Sequence, residues 1–151
     1  MAFTQDQPRP HDRSIFRCHI GGALLNKSGD PYLSVWEKNL TARKARDAKR
    51  HLRDMSKEAA IEREVTQILR QEFSFRFIEI ADRQGLERAL IGTLASCSQC
   101  GPSEGWLGCY SPKVPIRKSG LWLIHHLKAA SLCSVQMDLI IAAIERGAAR
   151  A

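Results

Sequence analysis

The chain has 151 residues, 44% of them apolar and 26% charged, with a formal charge of +7. That length supports one domain with a genuine core and leaves no room for a second of similar size. No apolar run approaches the roughly 20 residues that a membrane-spanning helix needs, and the opening MAFTQDQPRPHDR has no hydrophobic segment of the signal-peptide kind. The expected setting is therefore cytoplasmic, with no membrane partner. Five Cys, an odd number without an export signal, fit reduced thiols better than a disulfide framework.

Residues 1–12 are polar, contain Pro8 and Pro10, and are expected to form a flexible lead-in. Ser14 then suits the N-cap of a helix over about Ile15–Leu25, with Phe16, Ile20, Ala23 and Leu24 as its apolar stripe. Arg17 falls inside that stripe. Gly21 and Gly22 each weaken a helix by about 0.8–1 kcal/mol relative to Ala, which is understandable if something approaches the backbone beside Arg17. His19 lies off the Arg17 face and reads as a rim or surface residue. Asn26–Pro31 is a turn cluster, and Tyr32–Asn39 suits either a short strand or a helix start.

Charge then concentrates. Between Lys38 and Lys57 stand eight Lys or Arg against Asp47 and Asp54, a net +6, with Ala42, Ala45 and Ala48 on the quieter side of a predicted helix. Such a segment suits a polyanion, and nucleic acid fits better than a membrane because there is little apolar surface to insert. The candidate contacts are Arg43, Lys44, Arg46, Lys49, Arg50 and Arg53. A second helix is predicted over about Ser56–Glu72 through Ile61, Val65, Ile68 and Leu69.

Phe73–Cys97 is the stretch around which the rest is arranged. Phe73, Phe75 and Phe77 alternate with Ile78 and Ile80 on the opposite face, which predicts a strand covered on both sides over Phe73–Ala81. A lone strand or a two-stranded pair is marginal at best, and the chain supplies few candidates to pair with it. Asp82 suits an N-cap for a helix over about Arg83–Ala95, whose stripe is Leu86, Leu90, Leu94 and Ile91. Glu87 lies within this stripe, where a carboxylate is costly unless something positive meets it.

Residues 101–120 hold three Pro and four Gly with Trp106, Leu107 and Ile116, predicting an ordered, packed loop without regular structure. Ser119 is a candidate cap for a short helix, LWLIHHLK, on which one of His125 and His126 is expected to be buried. A final amphipathic helix is predicted over about Ser134–Arg146. Trp106 and Trp122 read as loop anchors packed on the core. Cys97, Cys100 and Cys109, with His125, His126 and Cys133 downstream, could supply a tetrahedral zinc site. No second CxxC follows at ribbon spacing, so reduced thiols near a loop are the plainer reading.

The segments SIFRCHIGGALLNKSGDPYLSVWEKNLT, EAAIEREVTQILRQEFSFRFIEI, LERALIGTLA and PSEGWLG…SP…IRKSGLW resemble a bacterial branch of the GIY-YIG nuclease superfamily, from about Arg13 to Leu127. The resemblance implies an α/β fold, a small antiparallel sheet flanked by helices. It also implies hydrolysis of DNA phosphodiesters with one divalent metal, Mg²⁺ or Mn²⁺ rather than zinc. Arg17, in the SIFR match, would be the helix Arg that holds the scissile phosphate. Glu87, in the LERALI match, would be the metal-binding Glu. The GIY and YIG strands have no counterpart ahead of Arg17, and Tyr32 and Tyr110 do not stand where the family's tyrosines would. Leu123 also stands where Asn is expected in this branch. The expected domain is thus a GIY-YIG domain over residues 13–128 with an incomplete sheet, impaired or inactive as it stands, followed by a helical extension over 129–151. A partner chain or an upstream segment would supply the missing strands.

Three functions follow as expectations. One is a metal-dependent DNA endonuclease acting through Arg17 and Glu87. The second is a non-catalytic DNA-binding module built on the basic segment 38–57. The third is a zinc-stapled structural or interaction protein.

Overall fold

The computed structural model of the protein describes residues 14–38, 50–75, 77–80 and 85–148. Ser14 starts the first helix as its sequence suggests. Extended at φ −141° and ψ 101°, it accepts a hydrogen bond from the Arg17 amide on its side-chain oxygen at 3.3 Å and opens α1, Ile15–Lys27. A turn closed by the Asp30 amide on the Leu25 carbonyl leads to α2, Leu33–Trp36. Tyr32–Asn39 is thus a short helix where it is described, and not a strand. After a 3-10 turn at Arg50–Leu52, α3 spans Met55–Glu72. Its cap is Asp54, whose Oδ1 accepts from the amides of Ser56 and Lys57, both at 3.0 Å.

Helix α1 is the hub, packing against α2, α3 and a 3-10 turn at Leu107–Tyr110. Enclosure on several sides explains why its buried residues run beyond a single stripe, from Arg17 through His19–Ala23 to Leu25. Ile20, Leu25, Tyr32 and Trp36 meet Ile61, Val65 and Leu69 of α3 in the core. Phe16 extends this core edge-on to Phe73 and to Trp122, at centroid separations of 5.2 and 6.4 Å, and Trp122 meets Trp106 at 5.2 Å. Both loop tryptophans are packed side chains.

The expected antiparallel sheet is absent: the described residues are helical and contain no strand. Phe73 does take an extended backbone, φ −115° and ψ 133°, as the alternating pattern demands. However, 73–75 and 77–80 pair with no described strand, and Phe75 and Phe77 are 64% and 89% exposed. Alternation sets local conformation; a sheet also needs a partner edge for the backbone groups.

Helix α4 spans Leu86–Ser96, beginning at Gly85 in the left-handed region (φ 73°); the expected cap, Asp82, lies outside the described residues. Its buried side is Leu86, Ala89, Ile91 and Gly92, while Glu87, Leu90 and Leu94 face outward. The side chosen is the one where Gly92 allows close approach: a Cβ there would lie 2.3 Å from the Ala129 carbonyl oxygen. The loop expected over 101–120 contains a helix, α5, Val114–Ser119, with Pro115 in its first turn and Gly120 closing it at φ 70°. Conversely, 121–128 is not helical, and both His125 and His126 are exposed. Last comes α6, Ser134–Ala148, with Ala143 buried and Val135, Met137, Leu139, Ile141 and Ile144 exposed.

Candidate functional site

Arg17 sits on the first turns of α1, and α3 lies across it. Its Nε and Nη2 donate to Glu62 Oε2 at 3.0 and 2.6 Å, and Nη2 also donates to the Glu62 carbonyl at 2.9 Å and to Thr66 Oγ1 at 2.8 Å. Thr66 in turn donates to the Glu62 carbonyl at 2.8 Å, so one turn of α3 forms a cradle for the guanidinium. The pair is sequestered, with side-chain exposures of 10% for Arg17 and 6% for Glu62. Nη1 has no hydrogen-bond partner among the described residues. The Arg is thus oriented by two of its nitrogens with the third left over.

One turn earlier on α3 stands a second buried carboxylate. Glu58 accepts from the Tyr32 hydroxyl at 2.8 Å and from Arg53 Nε on both oxygens, at 2.8 and 2.9 Å, with Arg53 Nη2 joining the ion pair. Burial, then the bond to Glu58, pushes the Tyr32 phenol up to about 12. Lys57 lies over the Tyr32 ring, 5.2 Å from its centroid, and is bonded to Asp30 at 2.8 Å. Arg53, a candidate for nucleic-acid contact, is therefore engaged with Glu58. Arg43, Lys44, Arg46 and Lys49 lie outside the described residues, as does the side chain of Arg50.

Glu58 and Glu62 are the site residues that sequence reasoning missed. The signal was available: Glu58 falls between Val65 and Leu69 on the α3 wheel, and Glu62 borders Leu69. The same test that singled out Arg17 on α1 would have found them.

Glu87 is not brought to Arg17 by any hydrogen bond or ion pair. It is exposed in the first turn of α4, among Leu90 and Leu94, and its carboxylate has no partner among the described residues. One exposed carboxylate could offer a single ligand to a divalent cation; no group of three His, Cys, Asp or Glu that could hold a metal occurs among the described residues. Cys97, Cys100 and Cys109 are all free thiols outside any such group. The interaction of the neighbouring Cys97 and Cys100 thiols lowers Cys97 and raises Cys100.

His19 is buried, not on the rim, and its Nε2 has no partner. Burial holds its imidazole below the ordinary value, aided by Lys113 and His125 and opposed by Glu37. Lys113 and Glu37 are themselves paired at 2.8 Å.

Together these features define a helical domain whose hub helix carries an oriented, buried arginine. The sequence model of the GIY-YIG domain family matches residues 4–148, and the chain belongs to that family of nuclease domains. No curated protein and no solved structure matches the chain. No helix among the described residues is long and apolar enough to cross a membrane.

Proposed function

We propose that the protein is a GIY-YIG-type endonuclease domain acting on DNA, with Arg17 holding a phosphate and Glu87 holding a divalent cation. The observation that carries this reading is the cradle of Glu62 and Thr66, which orients the Arg17 guanidinium and leaves Nη1 to donate to a phosphate oxygen. A guanidinium fixed before substrate arrives loses less freedom on binding. The Glu87 carboxylate, exposed and unpaired among the described residues, is free to take an inner-sphere cation. When bound, the metal neutralises charge developing on the phosphate and on the leaving oxygen. Net charge draws the polyanion in, and the basic segment 38–57 supplies most of it. Tyr32 is engaged with Glu58, and Tyr110 has Lys27 over its ring, 5.2 Å from the centroid.

The test is plasmid nicking with Mg²⁺ or Mn²⁺ by the full chain, Glu87→Gln and Arg17→Lys. Glu87→Gln is an exposed change and should keep its unfolding midpoint while abolishing nicking; Arg17→Lys keeps the charge but loses the two-nitrogen geometry. Nicking that persists in Glu87→Gln would refute the site. A wild-type chain that binds DNA with steep salt dependence but never nicks would favour the second reading, a non-catalytic DNA-binding module, which rests on the +6 of residues 38–57.

A further inference from the structure

Beyond Arg17 and Glu87, the described residues contain a cavity of about 410 Å³ between α4, α5 and the turn at 124–129. This lies within the range of roughly 300–1,000 Å³ typical of small-ligand sites. Three basic side chains line it, Arg88, His126 and Lys128, and no acidic one among the described residues does; Pro115, Ile124 and Leu127 supply apolar wall. None of the three basic groups has a hydrogen bond or ion pair to a described side chain, although His126 stacks obliquely beside His125 at 6.4 Å. In this respect they differ from Arg17, Arg53 and Lys113, which are all paired.

The turn that brings His126 and Lys128 to Arg88 is built into α4. Gly92 lets the Ala129 carbonyl pack against the helix, where a Cβ would stand 2.3 Å away. Thr93 Oγ1 donates to the Ala89 carbonyl and accepts from the Leu132 amide, both at 2.8 Å, tying the strand of chain after the turn to the same helix. The Ala129 amide closes the turn on the His126 carbonyl at 3.0 Å. His126 itself takes φ 59°, and it is the one non-glycine among the described residues with positive φ. Such a backbone is uncommon for non-glycine residues, though His, like Asn and Asp, adopts it more often than most, and such positions cluster at ligand sites.

We propose that this cavity binds one nucleotide unit, its phosphate held by Arg88 and Lys128 with His126 donating, and its base or sugar against Pro115, Ile124 and Leu127. Two unpaired long-chain cations fit an anion, and charge-assisted bonds to phosphate oxygens are the strong kind. The apolar wall is what inorganic phosphate alone would leave unused. The proposal does not depend on cleavage at Glu87, so a chain that fails to nick DNA leaves it standing. The unit is either a free mononucleotide or one residue of a strand.

The experiment is an NMR and calorimetric titration of the full chain with dAMP, inorganic phosphate, adenosine, and a 5′-phosphorylated single-stranded hexamer. We expect saturable dAMP binding, with shifts clustered at Arg88 and 124–129. Phosphate and adenosine should each bind more weakly, and Arg88→Ala and Lys128→Ala should each weaken dAMP by roughly tenfold or more. Both changes are at exposed side chains, and unchanged melting confirms the fold. A hexamer binding more tightly than dAMP, with the same dependence on Arg88 and Lys128, assigns the site to a strand; equal affinity assigns it to free nucleotide. Inorganic phosphate matching dAMP, shifts confined to other residues, indifference to both substitutions, or no binding at millimolar dAMP would each overturn the proposal.

Discussion

Two nitrogens of Arg17 converge on a single oxygen of Glu62, at 3.0 and 2.6 Å, across 45 residues of sequence. Little of either side chain reaches water, so the charges must satisfy one another. Removing one partner strands the other, a loss of about 3–5 kcal/mol, whereas replacing both with apolar side chains of similar volume is often neutral. Glu62→Ala should therefore be strongly destabilising in urea unfolding, and Arg17→Met with Glu62→Leu should recover most of the loss. Near-wild-type stability of Glu62→Ala would show that the pair contributes orientation without holding α1 to α3.

His19 makes stability depend on mild acid. Its imidazole is buried with Nε2 unpartnered, and burial, Lys113 and His125 lower its proton affinity more than Glu37 raises it. With the folded value below the unfolded value of about 6.5, the unfolded chain takes up the proton first as pH falls. The contribution is thus complete above about pH 6.5 and is lost as pH drops toward the folded value. Urea midpoints between pH 8 and 5 should fall, and His19→Phe should flatten that fall. An equal slope in both proteins would remove His19 as the cause.

Cys97 should be the more reactive of the two neighbouring thiols. Interaction with Cys100 lowers the Cys97 thiol, and the same interaction raises Cys100. The thiolate is the nucleophile, so limiting iodoacetamide near neutral pH should label Cys97 before Cys100 in peptide mass spectra. Cys100→Ala removes the neighbouring thiol and should slow Cys97. Labelling of Cys100 first would show that the two thiols are perturbed in the opposite order.

What the sequence made legible is what depends on neighbours a few residues away. The Ser14 cap and the apolar spacing of α1, α3 and α6 are local, and these helices stand within a few residues of their expected bounds. Phe73–Ala81 carries the alternation of a strand and Phe73 is extended, but pairing belongs to the rest of the chain, and no described residue provides it. The wheel also says which side of a helix is apolar, not which side is covered. On α1 it found a buried Arg17; on α4 two of its stripe residues, Leu86 and Ile91, are buried, while Leu90, Leu94 and Glu87 are open. Glu62 shares Arg17's burial, and only contact between distant segments joins them.

The two glycines beside Arg17 separate in the same way, and a pair of substitutions tests it. A Cβ on Gly21 would stand 2.2 Å from Trp36 Cζ2, inside the indole of a side chain that is 1% exposed. The ring is fixed there, because its Nε1 donates to the Cys18 carbonyl at 2.9 Å. On Gly22 a Cβ would meet the Pro112 ring at 3.6 Å, ordinary contact. What approaches the backbone beside Arg17 is thus the chain's own tryptophan. Gly22→Ala should gain up to the helix preference of about 0.8–1 kcal/mol. Gly21→Ala carries the same preference but must displace Trp36, and overpacking of about 1–3 kcal/mol should leave it less stable than wild type. Thermal melts followed by circular dichroism should move in opposite directions for these adjacent positions. A shift upward in both would mean that the indole retreats without loss, and that Gly21 is not what seats Trp36 against α1.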